Sequence, residues 1–243
     1  KLIKKVNLGG DFMKLLKKVT TIGLSIILTS SLFNTAVSAQ TTSDRHSISI
    51  NNVNYTIENK IDNDDKKVVE VKSDNVSTTA EFNKDTGEMN IVENGKVIAS
   101  INTNFKNIIK NNFEEPMFRS SLVDSEKDIR GVYAFWQYSD TKWVLQVPTG
   151  GDVIYENSNN KEYLNGFAEA VREMLKAQIS LAAIQSGGLV GIVGTLIAAA
   201  PATLGTSAVI ALLAATGVAA ASVPAAVDWY FAEKKADKNY ALA

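Results

Sequence analysis

The chain of 243 residues contains no cysteine, and its one histidine is His46. The absence of cysteine excludes a disulfide-bonded scaffold, a thiol nucleophile and any cysteine-ligated zinc or iron site. A single histidine excludes motifs that bind a metal through two histidines. The sequence also has no phosphate-binding loop and no dinucleotide-binding fingerprint. We therefore expect a protein that is not an enzyme and that holds no metal and no cofactor.

Charged residues are missing from one long stretch. Residues 177–227, 51 in all, include no Asp, Glu, Lys, Arg or His. Outside it acidic side chains predominate, because residues 40–243 carry 19 basic and 25 acidic groups, a net charge of −6. Proteins that bind nucleic acid need a basic surface that displaces counterions from the phosphates. We therefore expect no nucleic-acid partner.

The first 39 residues have the features of processing signals. Residues 13–39 begin with basic side chains, continue with an apolar run over residues 22–32, and end with small residues at Val37 and Ala39. This order is typical of a secretory signal peptide that is cleaved after Ala39. The codons for residues 9–12 can spell a ribosome-binding site before Met13, so we interpret residues 1–12 as a translated leader. The mature chain is expected to begin at Gln40 and to be secreted.

Residues 40–158 are polar and predict a small antiparallel β domain. Apolar and polar residues alternate over short segments, as they do in strands with one buried face. Asn94-Gly95 suits a type I′ turn, whose two central residues need positive φ, and it predicts a hairpin that joins residues 89–92 to residues 97–101. A second hairpin is expected over residues 131–138 and 142–147. We interpret this region as a recognition domain that folds on its own.

Five aromatic residues fall within eleven positions of the second predicted hairpin. Side chains on a strand alternate between two faces, so one face is expected in the core. The other face is either structural as well or a surface that binds cell-wall glycan, a lipid headgroup or a receptor. The candidate recognition residues are Tyr133, Phe135, Trp136, Tyr138 and Trp143.

Residues 159–243 have helical periodicity. Apolar residues recur at intervals of three and four over residues 164–179 and predict an amphipathic helix. Pro201 then divides the charge-free stretch into segments of about 21 and 23 residues. At 1.5 Å per residue, each matches the roughly 30 Å hydrocarbon layer of a bilayer. We therefore predict an α+β fold in which the small β domain is followed by the amphipathic helix and a C-terminal hydrophobic helical hairpin, residues 180–227.

The composition of the charge-free stretch favours late insertion into a membrane. Only 17 of its 51 residues are Leu, Ile or Val, whereas 22 are Ala or Gly. Its insertion energy is therefore marginal, and such a chain can leave the cell in soluble form. The alternative is a hairpin that simply occupies the centre of a helical bundle. The two interpretations are compatible, because a hairpin that is buried in one state can be exposed in another.

Small residues along the predicted hairpin favour close helix packing, either in lipid or in a protein core. An exposed tip is expected around Leu204. The candidate insertion and packing residues are Gly187, Gly188, Gly191, Gly194, Pro201, Leu204 and Gly205. Trp229, Tyr230 and Phe231 precede a charged tail and resemble the aromatic belt of a membrane interface. We expect the hairpin to pair or to form oligomers in the membrane.

A secretory leader, a cysteine-free polar β region and an Ala/Gly-rich terminal hairpin together resemble the large, unmodified secreted bacteriocins of Gram-positive bacteria, geobacillin type. The hairpin is also similar in kind to that of pore-forming colicins. The first resemblance implies killing of related bacteria by membrane damage, and it rests on organisation rather than on a motif. The net negative charge departs from the cationic character of small membrane-active bacteriocins.

These observations predict a secreted bacteriocin that inserts residues 180–227 into the target-cell membrane and permeabilises it. A surface receptor or cell-wall glycan is a further expected partner. The alternative is a binding module that the same hairpin anchors in the membrane of the producing cell.

Overall fold

The structure is a computed structural model that describes residues 45–103, 120–184 and 188–243, with the backbone alone for residues 188 and 189. It is α+β, with two antiparallel sheets and four helices in the described residues. The predicted fold class is confirmed at this level. The proposed leader and signal peptide, residues 1–12 and 13–39, lie outside the described residues.

The first sheet is an antiparallel meander of six strands that lie side by side in chain order. Asn94 and Gly95 have φ of 49° and 80° and join the last two strands, as the turn signal predicts. Alternate side chains face the core, and Ile57, Val71 and Ile91 are among them. The strands are β1 (Arg45–Ile50), β2 (Val53–Asp62), β3 (Lys66–Lys72), β4 (Ser77–Asn83), β5 (Glu88–Glu93) and β6 (Lys96–Asn102).

The second sheet has four antiparallel strands, again adjacent in chain order. Its strands are β7 (Leu122–Lys127), β8 (Ala134–Tyr138), β9 (Lys142–Val147) and β10 (Gly150–Tyr155). Phe135 lies opposite Leu145 and Trp136 opposite Val144 in the pairing of β8 with β9. The second predicted hairpin is therefore confirmed.

The helices are α1 (Lys161–Ile184), α2 (Gly188–Ala199), α3 (Thr206–Ala215) and α4 (Val223–Leu242), with a short 3₁₀ turn at Ala220–Ser222 before α4. Helix α1 is the predicted amphipathic helix. It lies antiparallel to α4, because Lys235 of α4 donates to both Glu169 and Glu173, while Asn239 lies beside Gly166.

The charge-free residues form more and shorter elements than the predicted pair of helices. They supply the end of α1, all of α2 and α3, and the first turn of α4. The predicted break at Pro201 is present between α2 and α3. A further break follows α3, where Gly217 at φ 89° and Val218 donate to the carbonyls of Ala214 and Leu213. These bonds form a Schellman motif, which ends the helix because glycine takes a positive φ without strain.

The sheets and helices share one core. Helix α3 lies against β3 and β4 of the first sheet, and α4 packs on α3, while α1 covers the second sheet at β7 and β8. Contacts place the described residues from Arg45 to Ala243 in a single compact unit. The helices therefore cover the apolar face of the first sheet, and this arrangement gives no reason to expect the β region to fold alone.

Candidate functional site

Helix α3 is the most deeply buried element of the charge-free stretch. Residues 207–215 are all buried, and none of them is charged. A helix that is apolar all round needs cover on every side. The first sheet and α4 provide that cover, and the Thr78 hydroxyl of β4 donates to the hydroxyl of Ser207 at 3.0 Å. The part of the predicted membrane segment that forms α3 is therefore folded inside the protein.

A buried ion pair network joins α2 and α4 to the second sheet. Arg130, in the turn between β7 and β8, donates to Asp128 at 3.1 Å and to Glu233 of α4 at 2.9 Å. Its Nη1 also donates to the Gly194 carbonyl of α2 at 3.3 Å. Both carboxylates are almost completely buried, and Arg130 is largely so. Because Arg130 contacts both α2 and α4, we call this group, Asp128, Arg130, Gly194 and Glu233, the arginine anchor.

Asp128 holds the turn in place from the other side. Its Oδ1 accepts hydrogen bonds from the amides of Val132 and Tyr133 at 2.6 and 3.0 Å. Its Oδ2 accepts a hydrogen bond from Gln178 of α1 at 2.9 Å. Asp128 thus keeps three donors besides Arg130, and the turn is fixed to both the strand that follows and the first helix.

Burial dominates the electrostatics of the anchor. Burial raises the pKa of Glu233, and the nearby positive charge of Arg130 opposes that rise. Burial also raises the pKa of the Tyr133 phenol, helped by the charges of Glu233 and Asp237, and its hydroxyl donates to Asp237 at 2.7 Å. Glu233 binds its proton more tightly when folded than when unfolded, so its contribution favours folding below its unfolded pKa.

Gly194 allows the close approach on which the anchor depends. A Cβ at this position would lie 2.8 Å from Nη1 of Arg130 and 2.8 Å from Cη2 of Trp229. The guanidinium carbon of Arg130 lies 4.7 Å from the centroid of the Trp229 ring, which is a cation–π arrangement. Any side chain at Gly194 would push these groups apart.

The other predicted packing residues have different surroundings. Gly191 is exposed, and a Cβ there would meet nothing within 4 Å, so none of the described helices packs closely on this position in the folded protein. Gly205 caps the start of α3 and also has open space around it. Gly188 begins α2, with only its backbone described, and Gly187 lies outside the described residues.

The expectation of an exposed tip is wrong for Leu204. Pro201 is exposed, but Leu204 is only 4% exposed, because its side chain belongs to the core shared with α3. The Tyr230 hydroxyl of α4 donates to the Pro201 carbonyl, which holds the connection between α2 and α3 against α4.

In this fold, two of the three residues of the predicted aromatic belt do not reach the surface. Trp229 and Tyr230 are fully buried, and only Phe231 is exposed. The reason is helical geometry, because consecutive residues of a helix point in different directions. The face of α4 that packs on α1 and α3 includes Trp229 and Tyr230, whereas Phe231 lies outside it.

The proposed recognition surface is corrected in the same way. Its five aromatic side chains are all buried, so neither face of the second hairpin presents them to a partner. Phe135 and Trp143 lie in the main core with ring centroids 6.0 Å apart, whereas Trp136 and Tyr138 belong to a smaller cluster with Val144. These residues are Tyr133, Phe135, Trp136, Tyr138 and Trp143.

Sequence reasoning missed the arginine anchor. A signal for it exists on α4, where Glu233 follows Trp229 by four residues and Tyr230 by three, so the charge shares the apolar helix face. A charge at such a position is expected to have a buried partner. Nothing in the local sequence identifies that partner as Arg130, which is 103 residues away.

No family model, curated protein or solved structure matches this chain. Across the described residues, no helix combines the length and apolar character needed to cross a membrane. In the same part of the chain, no group of three or more His, Asp or Glu side chains is placed to hold a metal ion.

Proposed function

We propose that the protein is a secreted antibacterial protein that permeabilises the membranes of related bacteria with its charge-free stretch. The observation that carries the proposal is α3, an uncharged helix buried on every side within 51 consecutive uncharged residues. An ordinary surface helix keeps one charged face toward water. Here α2, which has exposed positions, also carries no charge, so this whole stretch is compatible with lipid.

The inserted form that we propose is a hairpin of two longer helices. Helices α2 and α3 have 12 and 10 residues and are about 18 and 15 Å long at 1.5 Å per residue. A bilayer needs about 20 residues in one helix. Residues 180–200 and 205–227, with 21 and 23 residues, reach that length if the short helices join with their neighbours on each side of Pro201. Charged residues flank both ends, so both ends stay on one side.

Release of the helices requires the arginine anchor to open. Arg130 is bonded to α2 through Gly194 and to α4 through Glu233, so neither helix can leave while both bonds remain. Moving α3 from the protein core into lipid exchanges one apolar environment for another. Two free-energy costs oppose this transfer, namely the loss of packing against the first sheet and the separation of the buried ion pair. We propose that contact with the membrane offsets them, and that the inserted hairpins pair through small residues.

Secretion is inferred from the signal-like sequence of residues 13–39. The resemblance in organisation to large secreted bacteriocins supports the antibacterial role. The aromatic residues of the second sheet are buried, so they do not form a surface that a receptor could bind. The proposal therefore takes lipid as the target. The alternative, a module anchored in the membrane of the producing cell, predicts that the protein is found in the membrane fraction of that cell rather than in the culture supernatant.

The test uses the mature protein, residues 40–243, and the producing cells. The proposal predicts dye release from phosphatidylglycerol-containing vesicles, loss of membrane potential in living related bacteria, and recovery of the protein from culture supernatant. Recovery in the membrane fraction of the producer, with no dye release and no loss of potential, would contradict the proposal and favour the anchored module.

A further inference from the structure

The connection between α3 and α4 departs from a helix over only a few residues. Gly217 has φ of 89°, and Ala219 is extended, with φ of −62° and ψ of 142°. Ser222 and Val223 already have right-handed helical backbone. A change confined to residues 216–222, which we call the junction, is therefore enough to join α3 to α4 as one helix.

The chain turns back on itself at the junction. The Tyr230 hydroxyl of α4 donates to the carbonyl of Pro201, which lies before α3, and α3 contacts α4. The two helices are therefore folded against each other. Joined as one helix, they would instead hold Tyr230 and Pro201 far apart, because an α-helix rises 1.5 Å per residue.

Two buried polar groups near the junction lack hydrogen-bond partners. The hydroxyl of Ser222 and the indole N–H of Trp229 are both buried, and neither has a partner among the described residues. They are seven residues apart at the start of α4, so they lie on one side of that helix. Buried polar groups are nearly always paired, and each unpaired one costs free energy in the folded state.

Other hydroxyl groups of the charge-free stretch are bonded within their own helices. Three of them donate to the carbonyl four residues earlier, a bond that a helix keeps in water and in lipid. These bonds run from Ser180 to Lys176 at 3.0 Å, from Thr195 to Gly191 at 2.8 Å and from Thr216 to Leu212 at 3.2 Å. Ser222 lies in a 3₁₀ turn instead. In a joined helix its hydroxyl would reach the carbonyl of Val218.

We propose that the junction is a conformational switch, which is broken in the folded protein and becomes helical when α3 and α4 join and enter a membrane. This inference rests on the proposed function and names the segment that must refold to give the inserted residues 205–227 their length. Ser222 then gains an acceptor within its helix. Trp229, two residues past the inserted segment, reaches an interface where headgroups and water accept from its N–H. The folded protein therefore bears the cost of two unpaired donors that the inserted form pairs.

The test measures a distance across the junction in the mature protein. The chain has no cysteine, so Thr203→Cys with Phe231→Cys places two spin labels at exposed positions, one before α3 and one on α4. In the folded protein, the contact of Tyr230 with Pro201 keeps the two Cα atoms within about 22 Å, given the reach of the intervening residues. In a joined helix they would be about 40 Å apart. We expect the short distance in solution and the long one in phosphatidylglycerol-containing vesicles and in lysophosphatidylglycerol micelles.

Glu162→Cys with Ala183→Cys is the matched control. Both positions are exposed on α1, and the labels should stay about 32 Å apart in every condition. A short distance across the junction in both vesicles and micelles overturns the proposed switch, whether or not dye is released. A long distance in either lipid, without dye release from the vesicles, supports the switch and contradicts the permeabilising function.

Two variants of the labelled protein should change the rate of separation in opposite directions, as followed by energy transfer between fluorophores on the same two cysteines. Ser222→Ala removes the buried unpaired hydroxyl, so it should raise the melting temperature and slow the separation in lipid about tenfold. Gly217→Ala strains the positive φ of the folded state but favours a helix. It should therefore lower the melting temperature and speed the separation about tenfold.

Each variant has a matched control. Thr195→Ala removes a hydroxyl that is already bonded within its helix, and it should leave the rate close to that of the wild type. Gly95→Ala strains a similar φ of 80° in a turn between strands, so it should lower the melting temperature but speed the separation less than Gly217→Ala does. Equal rates in the two glycine variants, or faster separation in Ser222→Ala than in the wild type, would overturn the role given to the junction.

Discussion

Replacement of Arg130 by alanine tests how much the arginine anchor stabilises the fold. The variant keeps three hydrogen bonds to Asp128, from Val132, Tyr133 and Gln178, but leaves Glu233 without its bond from the guanidinium. Removing one partner of a buried ion pair costs about 3 to 5 kcal/mol. That is a large part of a typical total stability of about 5 to 15 kcal/mol. We therefore expect Arg130→Ala to fold but to unfold at a much lower urea concentration.

The sign of the pH dependence makes this prediction specific. Burial already raises the pKa of Glu233, and loss of the Arg130 charge raises that pKa further. A raised folded pKa contributes stability below the unfolded pKa, and that contribution is lost as the pH rises through the folded pKa. The stability difference between wild type and Arg130→Ala should therefore be smaller near pH 5 than near pH 7.

Urea unfolding at both pH values measures these differences. Adding Glu233→Gln to Arg130→Ala should restore about 1 kcal/mol or more near pH 7, because it removes the unpaired charge. Lys66→Ala is the control, since it breaks an exposed ion pair with Glu81 and should cost at most about 1 kcal/mol. A loss below about 1 kcal/mol for Arg130→Ala, or a loss that is equal at the two pH values, would refute the role given to the anchor.

Three further variant sets test other features of the fold. Gly194→Ala should destabilise the protein by about 1 to 3 kcal/mol through overpacking, whereas Gly191→Ala on the same helix should stabilise it by about 0.5 to 1 kcal/mol, both by thermal melting; equal effects would contradict the described packing. Thr203→Lys, at an exposed position, should keep the melting temperature but reduce dye release, while Leu204→Lys should unfold the protein because it buries a charge. For Glu70, partial burial is outweighed by hydrogen bonds from Lys72, Lys60 and Ser77, and the pKa falls to about 2. The stability that Glu70 contributes is present above its unfolded pKa and is lost as the pH falls toward 2. Urea unfolding across this pH range should therefore show that Glu70→Gln loses about 1 to 2 kcal/mol less stability on acidification than the wild type does.

Local signals account for the features that the sequence predicts correctly. Asn94-Gly95 determines a turn through its φ preferences, and the spacing of apolar residues in α1 identifies the buried helix face. Pro201 marks a real break for the same reason, since proline cannot continue the helix that precedes it. Each of these features depends only on residues close in the sequence.

The features that the sequence did not predict depend on distant contacts. Leu204 is buried in the core that α3 shares with the first sheet, whereas Trp229 is buried beside Arg130 and Gly194. No local pattern specifies either contact. A membrane setting predicts the exposed tip and the aromatic belt, because these residues would face lipid or water there. The break after α3 does have a local signal. Gly217 suits the end of α3, and Pro224, seven residues later, suits the first turn of α4.

A disulfide between α3 and the first sheet tests whether α3 leaves that sheet when the protein permeabilises a membrane. The hydroxyls of Thr78 and Ser207 lie 3.0 Å apart, which suits a disulfide after Thr78→Cys and Ser207→Cys. The chain has no other cysteine, so these two thiols can only pair with each other within one molecule. Asn90→Cys with Ser100→Cys is the matched control, because it links β5 to β6 and leaves α3 free.

The measurement is dye release from phosphatidylglycerol-containing vesicles by each double variant, before and after reduction. If α3 must leave the first sheet, the oxidised Thr78–Ser207 variant should bind vesicles but release no dye, and reduction should restore release. The control variant should release dye in both states. Dye release at the wild-type rate by the Thr78–Ser207 variant with its disulfide intact would contradict the proposal that α3 leaves the first sheet.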